Sequence, residues 1–105
     1  MNFNQLQQRL REFADERDWA QFHSPKNLSM ALSVEVAELV EHFQWLTQEQ
    51  SRSADSVDRA AVAQEIADIQ IYLAMLADKL DIDIERAVDA KISVNARKYP
   101  AGRRQ

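Results

Sequence analysis

The chain contains a single glycine, Gly102, among its 105 residues, and only two prolines, Pro25 and Pro100. Tight turns between β-strands depend on glycine and on the fixed backbone angle of proline, so a small sheet protein of this composition would lack its turns. Apolar residues instead recur at intervals of three and four, the spacing at which side chains share one face of a helix. The sequence therefore predicts an all-α fold.

Four helices follow from the apolar spacing and from residues that start and stop helices. The first covers about residues 2–18. The second starts at Ser24-Pro25, where a capping hydroxyl precedes a proline in the first turn, and ends near Trp45. Residues 47–58 are small and polar and predict a loop.

Acidic residues and a proline delimit the other two helices. Either Ser56 or Asp58 is expected to cap the third helix, and Asp83 to cap the fourth, which Tyr99-Pro100 closes. The third helix is expected to bury one apolar stripe, and the fourth carries a similar stripe. The residues concerned are Val62, Ile66, Ile69, Leu73 and Leu76 in the third helix, and Ile84, Val88 and Ile92 in the fourth.

Amphipathic helices joined by short connections are typical of a bundle, so one four-helix-bundle domain is expected over residues 1–100. Residues 101–105 form a basic tail, in which Arg103 and Arg104 are expected to be solvated. A chain of this length hides only about two-thirds of the surface that its unfolded form exposes. Pairing with a second copy would bury the remaining apolar faces.

Composition excludes several classes of function. The formal net charge of −4 and the pI near 5.1 disfavour general binding to nucleic-acid polymers or anionic membranes. The absence of cysteine excludes disulfides and thiolate metal sites, and fits a reducing cytoplasm. No uninterrupted apolar run approaches the roughly 18 residues of a membrane span, and the first residues lack the pattern of a secretory signal. The expected location is the cytoplasm, with no membrane partner.

Two matched pairs of acidic residues carry the strongest chemical signal. Glu35 and Glu38 lie in the second helix, and Glu65 and Asp68 lie in the third. Residues three apart are about 60° apart around a helix, so each pair forms one cluster beside the apolar stripe. Since no Lys or Arg lies between residues 27 and 51, or between residues 60 and 78, the four carboxylates lack cationic neighbours within their own helices. If the two stripes pack together, the four carboxylates converge.

Converging carboxylates repel one another unless a cation neutralises them or one of them is protonated. Oxygen ligands favour magnesium, manganese or calcium over zinc or copper. Solvated acidic pairs are the alternative interpretation, because such pairs are common on exposed helix faces. Glu41 is expected to be a surface or supporting group, and His42 a hydrogen-bonded structural histidine. A di-iron bundle is disfavoured because the chain contains no Glu-x-x-His.

Over roughly residues 10–100, the sequence resembles the MazG-like, all-alpha nucleotide pyrophosphohydrolases, and within them the dCTP pyrophosphatase branch. The Glu-x-x-Glu of the second helix and the Glu-x-x-Asp of the third occur in the family's order, together with Phe-Gln-Trp and Asn-x-x-Lys-Tyr-Pro endings. The stretches that carry the resemblance are ERDWAQFHSPKNL, EVAELVEHFQW, EIADIQIYLAMLADKL, DIDIERAV and KISVNARKYP. The loop after Trp45 has less glycine and charge than family members lead one to expect.

The resemblance implies magnesium-dependent cleavage between the α and β phosphates of a nucleoside triphosphate, giving the monophosphate and pyrophosphate. The implied substrate is dCTP or a modified pyrimidine deoxynucleotide, and the implied role is house-cleaning of the nucleotide pool. Glu35, Glu38, Glu65 and Asp68 would be the catalytic residues that hold Mg²⁺, with Mn²⁺ as a possible substitute. Glu38 is the candidate that orients or deprotonates the attacking water.

The resemblance also implies a set of substrate contacts. Trp19, Phe22, His23 and Trp45 match positions that line the base pocket, although Trp19 and Phe22 could equally be core residues. Asn27 and Tyr72 lie in matching motif contexts. Lys91, Asn95 and Lys98 share one stripe of the last helix, where they would contact phosphate oxygens or form a solvated face.

Family members commonly form dimers or tetramers with sites built between subunits, so a homodimer or homotetramer is expected. The alternative to an enzyme is a non-catalytic helical interaction module that retains the fold. The intact set of four carboxylates disfavours this alternative, because a module that only binds has no need of them.

Overall fold

A computed structural model of the protein describes residues 2–102, and this part of the chain folds into α-helices without a β-strand. The helices are α1 (Phe3–Glu16), α2 (Pro25–Glu41), α3 (Gln48–Ser51), α4 (Arg59–Lys79) and α5 (Ile84–Lys98). Short 3₁₀ turns occupy Ala20–Phe22 and Ala54–Ser56. The predicted all-α class is confirmed. Arg103 and Arg104 lie outside the described residues.

Side-chain caps fix the beginnings of the four long helices. Asn2, Ser24, Asp58 and Asp83 each accept a hydrogen bond from the backbone N–H three residues later, at 2.8–3.2 Å. Of the two candidates for the cap of α4, the structure therefore selects Asp58. Each cap satisfies a backbone donor that the helix leaves unpaired and contributes on the order of 1 kcal/mol.

The connection between α2 and α4 differs from its prediction. α2 ends at Glu41, short of Trp45, and the chain continues through turns at residues 42–46. The segment predicted as a loop contains α3, because Thr47 and Gln50 cap each other reciprocally across its first turn.

The core forms where α4 packs along α2 and against α1. Leu28 of α2 is 1% exposed and is the largest fully buried side chain among the described residues. Buried Ala14 and Ala74 allow α1 and α4 to approach closely. Two polar contacts join the same pair of helices: Gln7 Nε2 donates to the carbonyl oxygen of Ala74 at 3.0 Å, and Arg11 pairs with Asp78 at 3.0 Å.

The prediction of one buried stripe along α4 was wrong for two of its five residues. Val62, Ile69 and Leu76 are half-buried, whereas Ile66 is 50% and Leu73 37% exposed. The reason is geometric: α1 and α2 cover one side of α4, and the other side faces solvent. In α5 only Ile84 is half-buried, and the remaining residues are exposed.

By length and composition alone, α4 is also apolar enough to cross a membrane. A core helix passes the same test. The half-buried Glu65 and Asp68 at the centre of α4 would be costly in hydrocarbon, and α4 packs against two other helices. These features are those of a helix packed within a protein, although only 11% of its apolar window is buried.

Candidate active site

The packing of α2 against α4 brings acidic side chains of both helices together. Glu35, Glu38 and Glu65 each place one carboxylate oxygen within 4.8 Å of the other two. Glu35 and Glu38 share a face of α2 because they are one helical turn apart, and that face contacts α4. The spacing seen in the sequence therefore becomes a three-carboxylate cluster at a helix–helix contact.

The cluster contains unsatisfied negative charge. Oε2 of Glu35 and Oε2 of Glu65 are buried and have no hydrogen-bond partner. The ion pairs of residues 2–102 all lie elsewhere, so no Lys or Arg nitrogen of these residues is within 4.0 Å of the three carboxylates. Buried carboxylate oxygens are costly unless a cation or a proton compensates them. The geometry fits a bound cation.

Without a metal, a proton partly compensates the charge. The pKa of Glu35 is raised from 4.5 to about 7, chiefly because burial disfavours the charged carboxylate, and hydrogen bonding with Glu65 and Glu38 acts in the same direction. Such bonds require a protonated carboxyl, because ionised carboxylates only accept. The negative charge of Asp68 also raises the pKa of Glu35.

The donor set is made of carboxylate oxygens, which are the ligands of hard divalent cations such as Mg²⁺, Mn²⁺ and Ca²⁺. The cluster also lacks the imidazole and thiolate donors that favour zinc or copper. Glu35, Glu38 and Glu65 are thus suited to hold Mg²⁺ or Mn²⁺, with Asp68 one turn further along α4.

Asp68, one helical turn from Glu65 along α4, lines a cavity. The cavity has a volume of about 290 Å³ and lies between α1, the turn after α1, and α4. Its walls are mainly apolar and aromatic, with His23, Tyr72 and Asp68 as polar groups. The lining residues are Leu10, Phe13, Ala14, Trp19, His23, Asp68, Ile71, Tyr72 and Met75.

The aromatic wall of this cavity suits a flat ring. The rings of Phe13 and Trp19 meet edge to face, with centroids 5.7 Å apart and planes at 64°. Aromatic side chains stack on nucleobases of any sequence, and the few polar groups of such a pocket orient the ligand.

Not all predicted substrate residues lie at this cavity. Trp19, His23 and Tyr72 line it, whereas Asn27 uses its side-chain amide to donate to the carbonyl oxygen of Phe22 at 3.1 Å. Trp45 is 87% exposed and lies outside this cavity. Phe22 is exposed as well, at 61%.

The residues predicted to contact phosphate lie on a different element. Lys91, Asn95 and Lys98 are exposed on α5, which contributes no residue to the cavity lining. The ammonium of Lys98 instead lies 5.4 Å from the ring centroid of Tyr99. Within one chain, the described structure does not bring these residues to the carboxylates.

Several cavity residues were missed by sequence reasoning. Leu10 and Phe13 follow the apolar periodicity of the first helix, and neither they nor Met75 were predicted as site residues. The available signal was the cluster of two aromatic residues, Phe13 and Trp19, on either side of the end of a helix. Only the packing of α1 on α4 shows that this end forms one wall of a cavity.

Comparison with known proteins places the chain in a family. A family model described as the MazG-like family matches residues 30–105, which include all four acidic residues. The chain belongs to the MazG-like family.

Curated relatives of this MazG-like chain are mammalian. It is 47% identical over 92 residues to human dCTP pyrophosphatase 1, and 45% identical over 91 residues to the rat protein of the same name. These matches cover 86% and 85% of the chain, respectively, and 54% of each relative. The chain therefore spans about half the length of the curated relatives it matches.

A solved structure agrees with the MazG-like fold over nearly the whole chain. A pyrophosphatase from Archaeoglobus fulgidus DSM 4304 superposes with a TM-score of 0.84 and 43% sequence identity. The superposition covers 92% of this chain and 91% of the archaeal one.

Proposed function

We propose that this MazG-like protein hydrolyses a nucleoside triphosphate, dCTP or a modified pyrimidine deoxynucleotide, to the monophosphate and pyrophosphate with the help of Mg²⁺. The observation that carries the proposal is that Asp68 lines the aromatic cavity, lies one helical turn from Glu65 of the carboxylate cluster, and is near enough to Glu35 to raise its pKa. A nucleotide matches these two features of the site. Its flat base suits the aromatic cavity, and its phosphates require a cation of the kind that the carboxylates can hold. The relatives named dCTP pyrophosphatase 1 support the choice of base.

Glu35, Glu38, Glu65 and Asp68 are the residues that would hold the metal. A Mg²⁺ ion held by these residues would neutralise charge on the phosphate oxygens and lower the pKa of a bound water molecule. Glu35 and Glu65 carry the buried, unpartnered oxygens and are the firmest candidates as ligands. Glu38 is the candidate to orient the attacking water and accept its proton.

The cavity would hold the base. Trp19 offers a ring face for stacking, and His23 and Tyr72 offer hydrogen-bonding groups beside it. Asn27 would act indirectly, because its amide ties the start of α2 to the turn that carries His23. Trp45, Lys91, Asn95 and Lys98 would join such a site only if another subunit supplied them.

The protein's dimensions support an oligomer. Its accessible surface is 8430 Å², whereas a compact monomer of 12.1 kDa exposes about 6000 Å². The radius of gyration of 16.9 Å likewise exceeds the roughly 13 Å of a compact domain of this length. The excess surface is similar to the area that stable subunit interfaces bury.

The exposed side of α4 and the apolar stripe of α5 are where a second copy would pack. Leu80, Ile82 and Val88 line a shallow apolar groove between the end of α4 and α5. Ile92, further along α5, is 60% exposed. We therefore expect a homodimer or homotetramer, in which a partner's α5 could supply phosphate contacts.

Light scattering tests the oligomer. The wild-type protein should have at least twice its chain mass of 12.1 kDa. Val88→Glu combined with Ile92→Glu should lower the mass toward that of one chain. Ser93→Glu, an exposed position on the same helix, is the matched control and should leave the mass unchanged. A monomeric wild-type protein would contradict the expectation.

Product analysis tests the reaction. Pure protein is incubated with Mg²⁺ and each common nucleoside triphosphate, and the products are separated by chromatography. Monophosphate with pyrophosphate, formed only in the presence of metal, is the expected result, with dCTP among the best substrates. Monophosphate with inorganic phosphate alone would indicate stepwise cleavage. No turnover on any nucleotide, canonical or modified, would favour the interaction-module alternative.

Two conservative substitutions test the residues. Glu38→Gln and Asp68→Asn should each reduce kcat at least about 100-fold while helical content is retained, because each removes a ligand or base without changing shape. Glu41→Gln is the matched control, since Glu41 is exposed one turn beyond Glu38. Full activity in both site variants would refute the assignment.

A further inference from the structure

The end of α1 has a defined backbone cap that places Trp19. The N–H of Trp19 donates to the carbonyl oxygen of Ala14 at 2.9 Å, and the N–H of Asp18 donates to that of Asp15 at 3.2 Å. Asp18 has a positive φ of 56°, the left-handed conformation that reverses the chain at such a helix end. The cap brings Trp19 back onto Phe13, with their rings in contact.

The end of α4 provides an internal comparison. Ile82 donates to the carbonyl oxygen of Ala77 at 2.9 Å, Asp81 donates to that of Asp78 at 3.2 Å, and φ of Asp81 is 54°. The two helix ends thus have the same backbone hydrogen bonds and the same left-handed aspartate. The residue before that aspartate is Leu80 in α4 and Arg17 in α1. The backbone cap therefore does not require an arginine.

Arg17 instead contacts the aromatic rings. The central carbon of its guanidinium lies 3.5 Å from the ring centroid of Phe13 and 5.9 Å from that of Trp19. Its Nη1 donates to the carbonyl oxygen of Phe13 at 3.0 Å and lies 3.5 Å from Oε2 of Glu16. A planar guanidinium with a fixed donor stacks well on an aromatic face. Arg17 itself is not one of the residues that line the cavity.

We propose that Arg17 is a positioning residue for the base pocket: by stacking on Phe13 and bonding to its carbonyl oxygen, it holds the Phe13–Trp19 wall at the angle that a bound base requires. The inference rests on the proposed function, since it names a residue that acts through the cavity wall. It is specific to α1, because the equivalent end of α4 has no such stack.

Arg17 would order the two aromatic rings before a ligand binds. Phe13 is 47% and Trp19 46% exposed, so neither ring is fixed by a surrounding core. A half-exposed ring that must stack on a ligand loses freedom on binding, and this loss weakens affinity. The arginine restricts the rings before the ligand arrives. Its contribution should therefore appear in substrate binding and not in the chemical step.

The first experiment measures the free protein and does not depend on the reaction. The chain has two tryptophans, so Trp45→Phe leaves Trp19 as the single fluorophore. In this background, acrylamide quenching of Trp19 should increase when Arg17→Gln is introduced. Arg9→Gln, the same substitution at an exposed position of α1, is the matched control and should leave the quenching unchanged.

The second experiment measures KM and kcat with dCTP and Mg²⁺ in otherwise wild-type protein. Arg17→Gln should raise KM about fivefold, the factor that corresponds to one exposed cation–π contact, with kcat unchanged. Arg17→Lys should raise KM less, because it keeps the charge but loses the planar stack. Circular dichroism should show unchanged helix content in every variant.

The outcomes separate the two proposals. A wild-type protein that hydrolyses no nucleotide refutes the proposed function and, with it, the role of Arg17 in substrate binding. Wild-type activity with wild-type quenching and KM in Arg17→Gln overturns the positioning role alone. A fall in kcat with unchanged KM would also overturn it, because the residue would then act on the chemical step.

Discussion

Metal affinity of the carboxylate cluster should depend on pH in a way that Glu35 determines. Its pKa is raised to about 7 in the metal-free protein, so the carboxyl is mostly protonated at pH 6 and mostly ionised at pH 8. A metal ligand must be ionised, and Mg²⁺ therefore competes with one proton. Affinity should fall as the pH is lowered through 7.

The size of the effect follows from the pKa. With a pKa near 7, proton competition weakens apparent affinity by about 11-fold at pH 6 and by about 1.1-fold at pH 8. The apparent affinity for the metal should therefore be about tenfold higher at pH 8 than at pH 6. Binding at pH 6 should also release close to one proton per metal ion, and binding at pH 8 close to none.

Isothermal titration with Mn²⁺ or Mg²⁺ at pH 6 and pH 8, in two buffers of different ionisation enthalpy, measures both quantities. Glu35→Gln should bind metal more weakly overall and lose the tenfold dependence, because glutamine does not titrate. Glu41→Gln is the matched control and should retain it. Equal affinities at the two pH values in the wild-type protein, or an unchanged dependence in Glu35→Gln, would refute the reasoning.

Three further predictions concern stability. Leu28→Ala should lower the free energy of unfolding by about 2–5 kcal/mol in urea denaturation, whereas Met30→Ala on the exposed side of α2 should change it by less than about 0.5 kcal/mol. Asp81→Val should cost about 1–2 kcal/mol at its left-handed backbone, while Asp81→Gly should not lower the melting temperature; a stable valine variant would contradict the φ of 54°. In the metal-free protein, the raised pKa of Glu35 stabilises the fold below pH 4.5, and this contribution is lost as the pH rises through 7. Calorimetry across this range should therefore show a Glu35-dependent decline, which saturating Mg²⁺ removes.

Local features of the fold could be predicted from the sequence because their causes are local. Ser24 and Asp83 cap helices by accepting a hydrogen bond from an N–H three residues away, and such a signal is complete within one turn. The exposed side of α4 could not be predicted in the same way. Ile66 and Leu73 are as apolar as the half-buried Ile69 and Leu76, and only the positions of α1 and α2 decide which side of α4 is covered.

The candidate site, like the fold, could be predicted from the sequence only in part. The acidic pairs were visible because their spacing and the missing cations are sequence properties, and α2–α4 packing then brought Glu35, Glu38 and Glu65 together. Trp19, His23 and Tyr72 of the cavity wall were predicted through the family resemblance, whereas Phe13 was not, because it follows the same periodicity as any core residue. The contact between Arg17 and Phe13 depends on side-chain geometry at the helix end, which no spacing specifies.

Anomalous diffraction from crystals grown with Mn²⁺ and a non-hydrolysable dCTP analogue would locate the metal and the nucleotide in one experiment. We expect an anomalous peak among the carboxylates of Glu35, Glu38, Glu65 and Asp68, with the triphosphate beside it and the base against Trp19. A peak elsewhere, or a nucleotide bound away from this cluster, would contradict the proposed site.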